Sequence, residues 1–440
     1  MAIYRVTPTE FPPVVVEAKN EASARNKACK LIKTMSGRAP VFMAVNSFDS
    51  SCMEDVELAF VQGDFSIAHQ LALPLADNGD VRAQAMLAGL YGDGLGVARD
   101  LVSAFEWCQK AAMQGDSTAQ TNLARMYTFG DGVEQNYTQA KSLLELAASK
   151  GNPVAQYQLG RMYLEGIGVE RDAQTGLVWL IRATDLGYVD AQFKVAEIYY
   201  EGTGVTKDLL MAAHYLQLAA AKGHANAQNN LAGMYYRGIG IPVNYSEAIR
   251  LFKESASSGF VLSNLFLGEM YSNGAGTNQD YGEARRQYRI AADDGLVDGQ
   301  LKLGYLYYFG YGGPIDYPTA YRWFLKAANQ DNAEGQFQVA EMWKLGRGVK
   351  ADPAIALEWY EKSAAQGYDE AQWIVGIMYG NGDGANQNFD KAEYYFRLAA
   401  DQGHEQAAND LIVLATARLT VQAADLADSL IFRSTAISMC

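Results

Sequence analysis

The chain has 440 residues, 49% of them hydrophobic and 20% charged, with a formal charge of −14 at pH 7. One hydrophobic core rarely fills such a length, whereas an array in which each unit packs only on its neighbours has no such limit. The acidic balance argues against nucleic acid as main partner, because a phosphate backbone rewards Lys and Arg, and against a peripheral place on anionic membranes.

Residues 1–50 read as a small β-β-α-β module. Residues 3–6, 14–18 and 40–45 have strand character, Pro12 and Pro13 break the first pair, and residues 20–34 read as a helix with Asn20 as its cap. The module is locally basic, through Arg5, Lys19, Arg25, Lys27, Lys30, Lys33 and Arg38. Two readings stand: a cap over the open end of an array, or a separate docking module. The N-terminal residues lack a basic start followed by an apolar run and a small-residue cleavage site. No run of about 18 apolar residues offers a membrane span. Cys29, Cys52, Cys108 and Cys440 share no metal-ligand spacing and are too sparse for a disulfide framework. A reducing, cytoplasmic compartment is expected.

Residues 51–404 are periodic. Glycine recurs at 79, 115, 151, 187, 223, 259, 295, 367 and 403, at intervals of 36 save one of 72, where Asp331 stands in its place. A second register of G-x-G turns runs from Gly94/Gly96 to Gly382/Gly384 in the same phase. Each unit opens on A-Q-x-x-[LV]-[AG]-x-[MIL]-[YW], as at Ala155, Gln156, Leu159, Gly160, Met162 and Tyr163. Apolar residues at offsets 0, 4, 7 and 8 mark one face of a helix. The G-x-G stops it, the first glycine as a left-handed cap and the second to turn the chain back. Asp100, Asn136, Asp172, Asn244 and Asp390 are expected to cap the second helix, which carries A-x-x-[W/aromatic/L]-x-x-x-[AS]-[AT], as at Ala104, Trp107, Ala111 and Ala112.

These residues resemble the Sel-1-like repeat family, related to tetratricopeptide-type repeats. One unit carries Ala119, Leu123, Ala124, Met126, Tyr127, Gly130, Gly132, Val133, Ala140, Ala147, Ala148 and Gly151 of its pattern, and the likeness spans about residues 64–404. Gly176, Ser263/Asn264 and Gly299 depart from it and weaken single units. The resemblance implies an all-α fold: a right-handed α/α solenoid of about nine 36-residue helix pairs, a concave face lined by the first helices, and an adaptor or scaffold role. Residues 405–440 lose the turn and read as capping helices, with pairing of two copies through them as a second reading.

No catalytic or metal constellation is expected, and no cofactor. His69, His214, His224 and His404 pair with no cysteine at a metal spacing, and the G-x-G turns lack the Lys-Ser/Thr of a phosphate loop. Binding is sought on the first helices at offsets 2, 6 and 9, which share one face. That stripe holds Tyr157, Arg161, Phe193, Glu197, Tyr200, Tyr236, Tyr305, Tyr308, Phe337, Glu341 and Trp373. It is short of Lys and rich in rings, as interface cores are. The same rings could instead fill seams between repeats. The function expected is a non-enzymatic scaffold that seats a protein partner in the concave groove. A bacterial immunity protein covering a basic toxin or effector is the alternative, and a hydrolase a remote third.

Overall fold

The computed structural model describes residues 2–8, 14–18, 24, 42–47 and 52–416. Strands β1 (Ala2–Pro8), β2 (Val14–Ala18) and β3 (Phe42–Ser47) form an antiparallel sheet of order β2-β1-β3, with Tyr4 opposite Val16 and Arg5 opposite Asn46. The helix expected over 20–34 lies outside the described residues apart from Ala24, which is helical.

Two compact units follow the chain, residues 1–222 and 223–440. In the first, α1 (Met53–Val61) and α2 (Phe65–Asp77) share one core with α3 (Val81–Asp93). Helix pairs then repeat: α3 with α4 (Leu101–Met113), α5 (Ser117–Phe129) with α6 (Tyr137–Ser149), α7 (Pro153–Glu165) with α8 (Ala173–Asp185), and α9 (Val189–Glu201) with α10 (Leu209–Ala221). The second unit repeats the pair five times: α11 (Ala225–Arg237) with α12 (Tyr245–Ser257), α13 (Leu262–Asn273) with α14 (Tyr281–Asp293), α15 (Val297–Phe309) with α16 (Tyr317–Ala328), α17 (Ala333–Leu345) with α18 (Pro353–Ala365), and α19 (Asp369–Asn381) with α20 (Phe389–Asp401). The middle of the chain is thus wholly helical among the described residues, nine consecutive pairs of the solenoid class. Residues 405–416 continue as helix; Ala407 and Leu414 join the last pair's core, while Ile412 and Val413 are exposed.

The helix ends follow from residue chemistry. Every second helix of the nine pairs is capped by Asp or Asn, such as Asp100 accepting from the Val102 and Ser103 amides. In the last pair the cap is Asn388, not Asp390, which sits two residues too late and donates its own amide to Asn388. On the second helices Trp107, Trp323 and Trp359 each lie under the lysine three residues on, at 3.7, 3.9 and 4.0 Å.

The two glycines of each turn do different work. The first, as Gly130 at φ +79°, closes the helix in the left-handed region. The second is where repeats meet: a Cβ on Gly132 would lie 1.9 Å from the Leu101 carbonyl oxygen, at the start of the previous repeat's second helix. Gly176, expected to weaken its unit, instead permits close approach, since its Cβ would stand 2.8 Å from the Gly160 oxygen. Asp331, where the periodic glycine is missing, keeps the left-handed backbone at φ 57°. Asp331→Gly is therefore expected to raise stability by about 0.5–1 kcal/mol, read as a higher urea midpoint.

A polar ladder joins neighbouring repeats. The glutamine of A-Q is buried in eight repeats, and in six of them its amide donates to the carbonyl eight residues back, as Gln84 to Ala76 at 3.0 Å and Gln372 to Ala364 at 3.1 Å. Its oxygen accepts from a glutamine thirty residues on: Gln114 to Gln84, Gln330 to Gln300, Gln366 to Gln336 and Gln402 to Gln372, at 2.8–3.0 Å. Positions 150, 186 and 222 hold Lys, Leu and Lys instead, and there the buried oxygens of Gln120, Gln156 and Gln192 have no partner.

Candidate partner-binding face

The stripe residues all lie on first helices, and each is tied to a neighbour. At offset 2, Tyr157, Phe337 and Trp373 pack on the residue thirty-one positions on, the N-cap of the next first helix. Their rings lie 5.3 Å from Tyr188, 5.1 Å from Tyr368 and 5.0 Å from His404. The Trp373 indole also donates to Asp410 at 2.8 Å. Phe193, at the same offset, is half-buried.

At offset 6, Arg161 grips Glu165 through two bonds, at 2.9 and 3.1 Å, and Glu197 pairs with Lys194 at 3.1 Å. The Tyr305 hydroxyl donates to Glu334 of the next repeat at 2.7 Å, and burial drives its pKa upward. Glu341 accepts from the buried Tyr360 hydroxyl and faces Lys344. At offset 9, Tyr200 is exposed beneath Lys207, Tyr236 donates to Glu269 at 3.1 Å, and Tyr308 lies under Arg347. The rings therefore do both things the sequence allowed: they seam adjacent repeats and leave an edge at the surface.

Concavity is found in the first unit. A cavity of about 300 Å³ lies between α3, α4 and α5, lined by Gly89, Gly92, Arg99, Cys108, Asn122 and Arg125 among others. A second, of about 270 Å³, lies between α5 and α7 and is lined by Thr121, Asn122, Arg125, Thr128, Phe129 and Arg161. They share Asn122 and Arg125, so the two form one groove across three first helices. Arg125 is held by Asp131, the middle residue of a G-x-G turn, at 3.1 Å. Asn122 and Phe129, at offsets 3 and 10, were outside the predicted stripe. An offset of 3 follows the groove's flank, which helical periodicity alone does not distinguish from solvent.

The polar groups available for chemistry have structural occupations. His224 and His404 are helix N-caps, their Nδ1 accepting from the Ala227 and Ala407 amides at 3.1 and 3.2 Å. His69 is bonded to Tyr91 at 3.0 Å, and desolvation holds its pKa below the usual value. His214 packs edge-on against Tyr215. Burial pushes the Cys108 thiol up to about 12, so it is no nucleophile at neutral pH. Among the described residues no group of His, Cys, Asp and Glu is placed to hold a metal, and no helix is long and apolar enough to cross a membrane.

Stacked helix hairpins with glycine corners, and side chains committed to joining one hairpin to the next, define a tandem α-repeat binding scaffold. The chain belongs to the Sel1 repeat family, whose pattern matches nine abutting segments from 81–116 to 369–404. Sel1 repeats are protein-interaction scaffolds. The chain is similar to c5321, a protective antigen present in uropathogenic Escherichia coli strains and displaying an SLR fold, at 32% identity over 78% of this chain and 81% of that one (TM-score 0.62). It is also similar to a Sel1 repeat protein from Oxalobacter formigenes, at 30% identity over 72% of this chain and 93% of that one (TM-score 0.56). An immunity protein, Pa5087 from Pseudomonas aeruginosa, matches at 24% identity over 51% of this chain and 83% of that one (TM-score 0.31). Among curated proteins, none matches the chain.

Proposed function

We propose that the protein is a non-catalytic adaptor that seats a protein partner on the first-helix face, with the groove of the first unit as the principal seat. The observation that carries this reading is the pair of adjoining cavities that share Asn122 and Arg125 and are walled by the stripe residue Arg161 and by Thr121, Arg125 and Thr128, which hold the same offsets 2, 6 and 9 in their own first helix. Asn122 is exposed, so its side-chain amide can reach the backbone of an incoming segment. A basic partner, as the immunity reading requires, suits a chain of charge −14. Self-association through residues 405–416 also belongs to the proposal, on the exposure of Ile412 and Val413. A reducing, cytoplasmic setting suits the free, buried Cys108.

Affinity capture from the native host with the full chain, compared with Arg125→Glu, tests the groove. Arg125 is 59% exposed and its pair with Asp131 is a surface one, so the substitution costs at most about 1 kcal/mol of stability. A specific protein held by the wild type and lost from the variant, with unchanged circular dichroism, is the expected result. Equal capture by both would remove the groove as the site.

A further inference from the structure

A second surface lies in the second unit, at the turn between α15 and α16. Phe309, Tyr311 and Ile315 there are 52%, 46% and 56% exposed. In the other repeats the positions of Phe309 and Tyr311 never carry two aromatic residues together. The rings are not loose: Tyr311 stacks on Tyr281 at 4.9 Å and 17°, and Phe309 sits edge-on to Tyr308 at 4.9 Å. Tyr281 and Tyr308 are half-buried, so the exposed rings stand on a fixed floor.

Two guanidinium groups flank this floor. Arg347 lies 5.2 Å from the Tyr308 ring and 5.5 Å from Tyr317, and donates to the Tyr308 hydroxyl. Arg285 lies 4.4 Å from the Tyr307 ring and donates to the Leu306 carbonyl at 2.9 Å, while its Nε is buried without a partner. A Cβ on Gly313 would meet Arg285 at 2.5 Å, which fixes the guanidinium against the turn itself. Neither arginine has a carboxylate within ion-pair distance among the described residues. The carboxylate of the same turn, Asp316, accepts from the Thr319 amide at 3.0 Å as the cap of α16.

An exposed apolar patch marks an interaction site, and preorganised arginine beside aromatic rings is the composition of interface hot spots. Arg347 has no ion-pair partner among the described residues, and Arg285 feels only the Asp316 carboxylate, which is spent on capping α16, so the net sign of the patch is positive. We propose that the α15–α16 turn docks a short protein segment that presents an apolar or aromatic side chain next to a carboxylate. The apolar group covers Phe309, Tyr311 and Ile315, and the carboxylate is taken by Arg347 and Arg285. Single-stranded nucleic acid also stacks on rings and pairs with arginine, but a chain of charge −14 repels an extended phosphate backbone that two arginines would have to hold. This surface is distinct from the groove of the first unit and stands without it.

The test pans a displayed library of random octapeptides against the full-length protein, then measures enriched peptides by fluorescence anisotropy. Enrichment of Asp or Glu adjacent to Leu, Phe or Trp is expected, with binding about tenfold or more weaker for Arg347→Glu and for Phe309→Ser. Arg347→Lys should retain part of the binding, and Arg125→Glu, in the groove, all of it. Tyr311→Ser replaces Phe309→Ser should the latter melt early. Peptides without the acidic–apolar pairing, or equal binding by wild type, Arg347→Glu and the serine variant, would overturn the proposal. So would competition by a twenty-nucleotide oligo-dT, or a wild-type dimer in sedimentation that the serine variant dissociates.

Discussion

Gly132→Ala is expected to cost about 2–5 kcal/mol, and Gly130→Ala, two residues away, only about 1–2 kcal/mol. Both glycines are left-handed, at φ +79° and +72°, so the conformational penalty is shared. They differ in surroundings. A Cβ on Gly130 meets nothing closer than 3.5 Å, whereas one on Gly132 would sit inside the backbone of Leu101, 1.9 Å from its oxygen and 2.4 Å from its carbon. No side-chain rotation relieves that clash; α4 and α5 must separate. The loss should therefore appear twice, as a lowered urea midpoint and as faster hydrogen exchange along α4 and α5, because a repeat array opens at its weakest seam. Gly151→Ala is a further control, since its Cβ would meet nothing within 4 Å although φ is +80°. Equal losses at 130 and 132 would mean that backbone conformation alone, and not the approach of neighbouring repeats, is what the second glycine supplies.

This pair shows how much could be read beforehand. The strict phase of the glycines disclosed the repeat, its length and the two helices per unit, because the conformation glycine serves is local. Which glycine touches the previous repeat was not legible: that contact spans thirty-one residues, from Gly132 to Leu101, and no local pattern encodes it. The cap at Asn388 was misread as Asp390 because both residue types can cap and only the backbone dihedrals choose between them. The stripe residues lie on first helices, yet Tyr157, Phe337 and Trp373 spend a ring face on the next repeat. Periodicity assigns a helical face but cannot say whether a neighbour covers it. Asn122, Phe129 and Tyr311 escaped for the converse reason, as ordinary surface positions until adjoining turns enclose them.

Gln372→Met is expected to lower stability by about 2–3 kcal/mol, whereas Gln156→Met should cost less than about 1 kcal/mol. The two residues occupy the same buried position, at 4% and 6% exposure, and each amide donates to the alanine carbonyl eight residues back, at 3.1 and 3.2 Å. Methionine has nearly the same volume, so packing is conserved and the polar terms decide. Gln372 also accepts from Gln402 at 2.8 Å, and its replacement leaves both the Ala364 carbonyl and the Gln402 amide without it. Gln156 accepts from nothing, so removing its stranded oxygen offsets the donor lost to Ala148. The converse change is Leu186→Gln. Position 186 is thirty residues beyond Gln156, is 53% exposed as leucine, and corresponds to the glutamines that complete the ladder elsewhere. It should supply the missing donor and raise stability by about 1 kcal/mol, a rise of about 2–4 °C in the melting of a unit of this size. In the Gln156→Met background the same substitution should gain nothing, since its acceptor is gone. Additive effects of the two changes in calorimetry would show that the glutamines act one by one, and that the repeats are joined by apolar packing without the ladder.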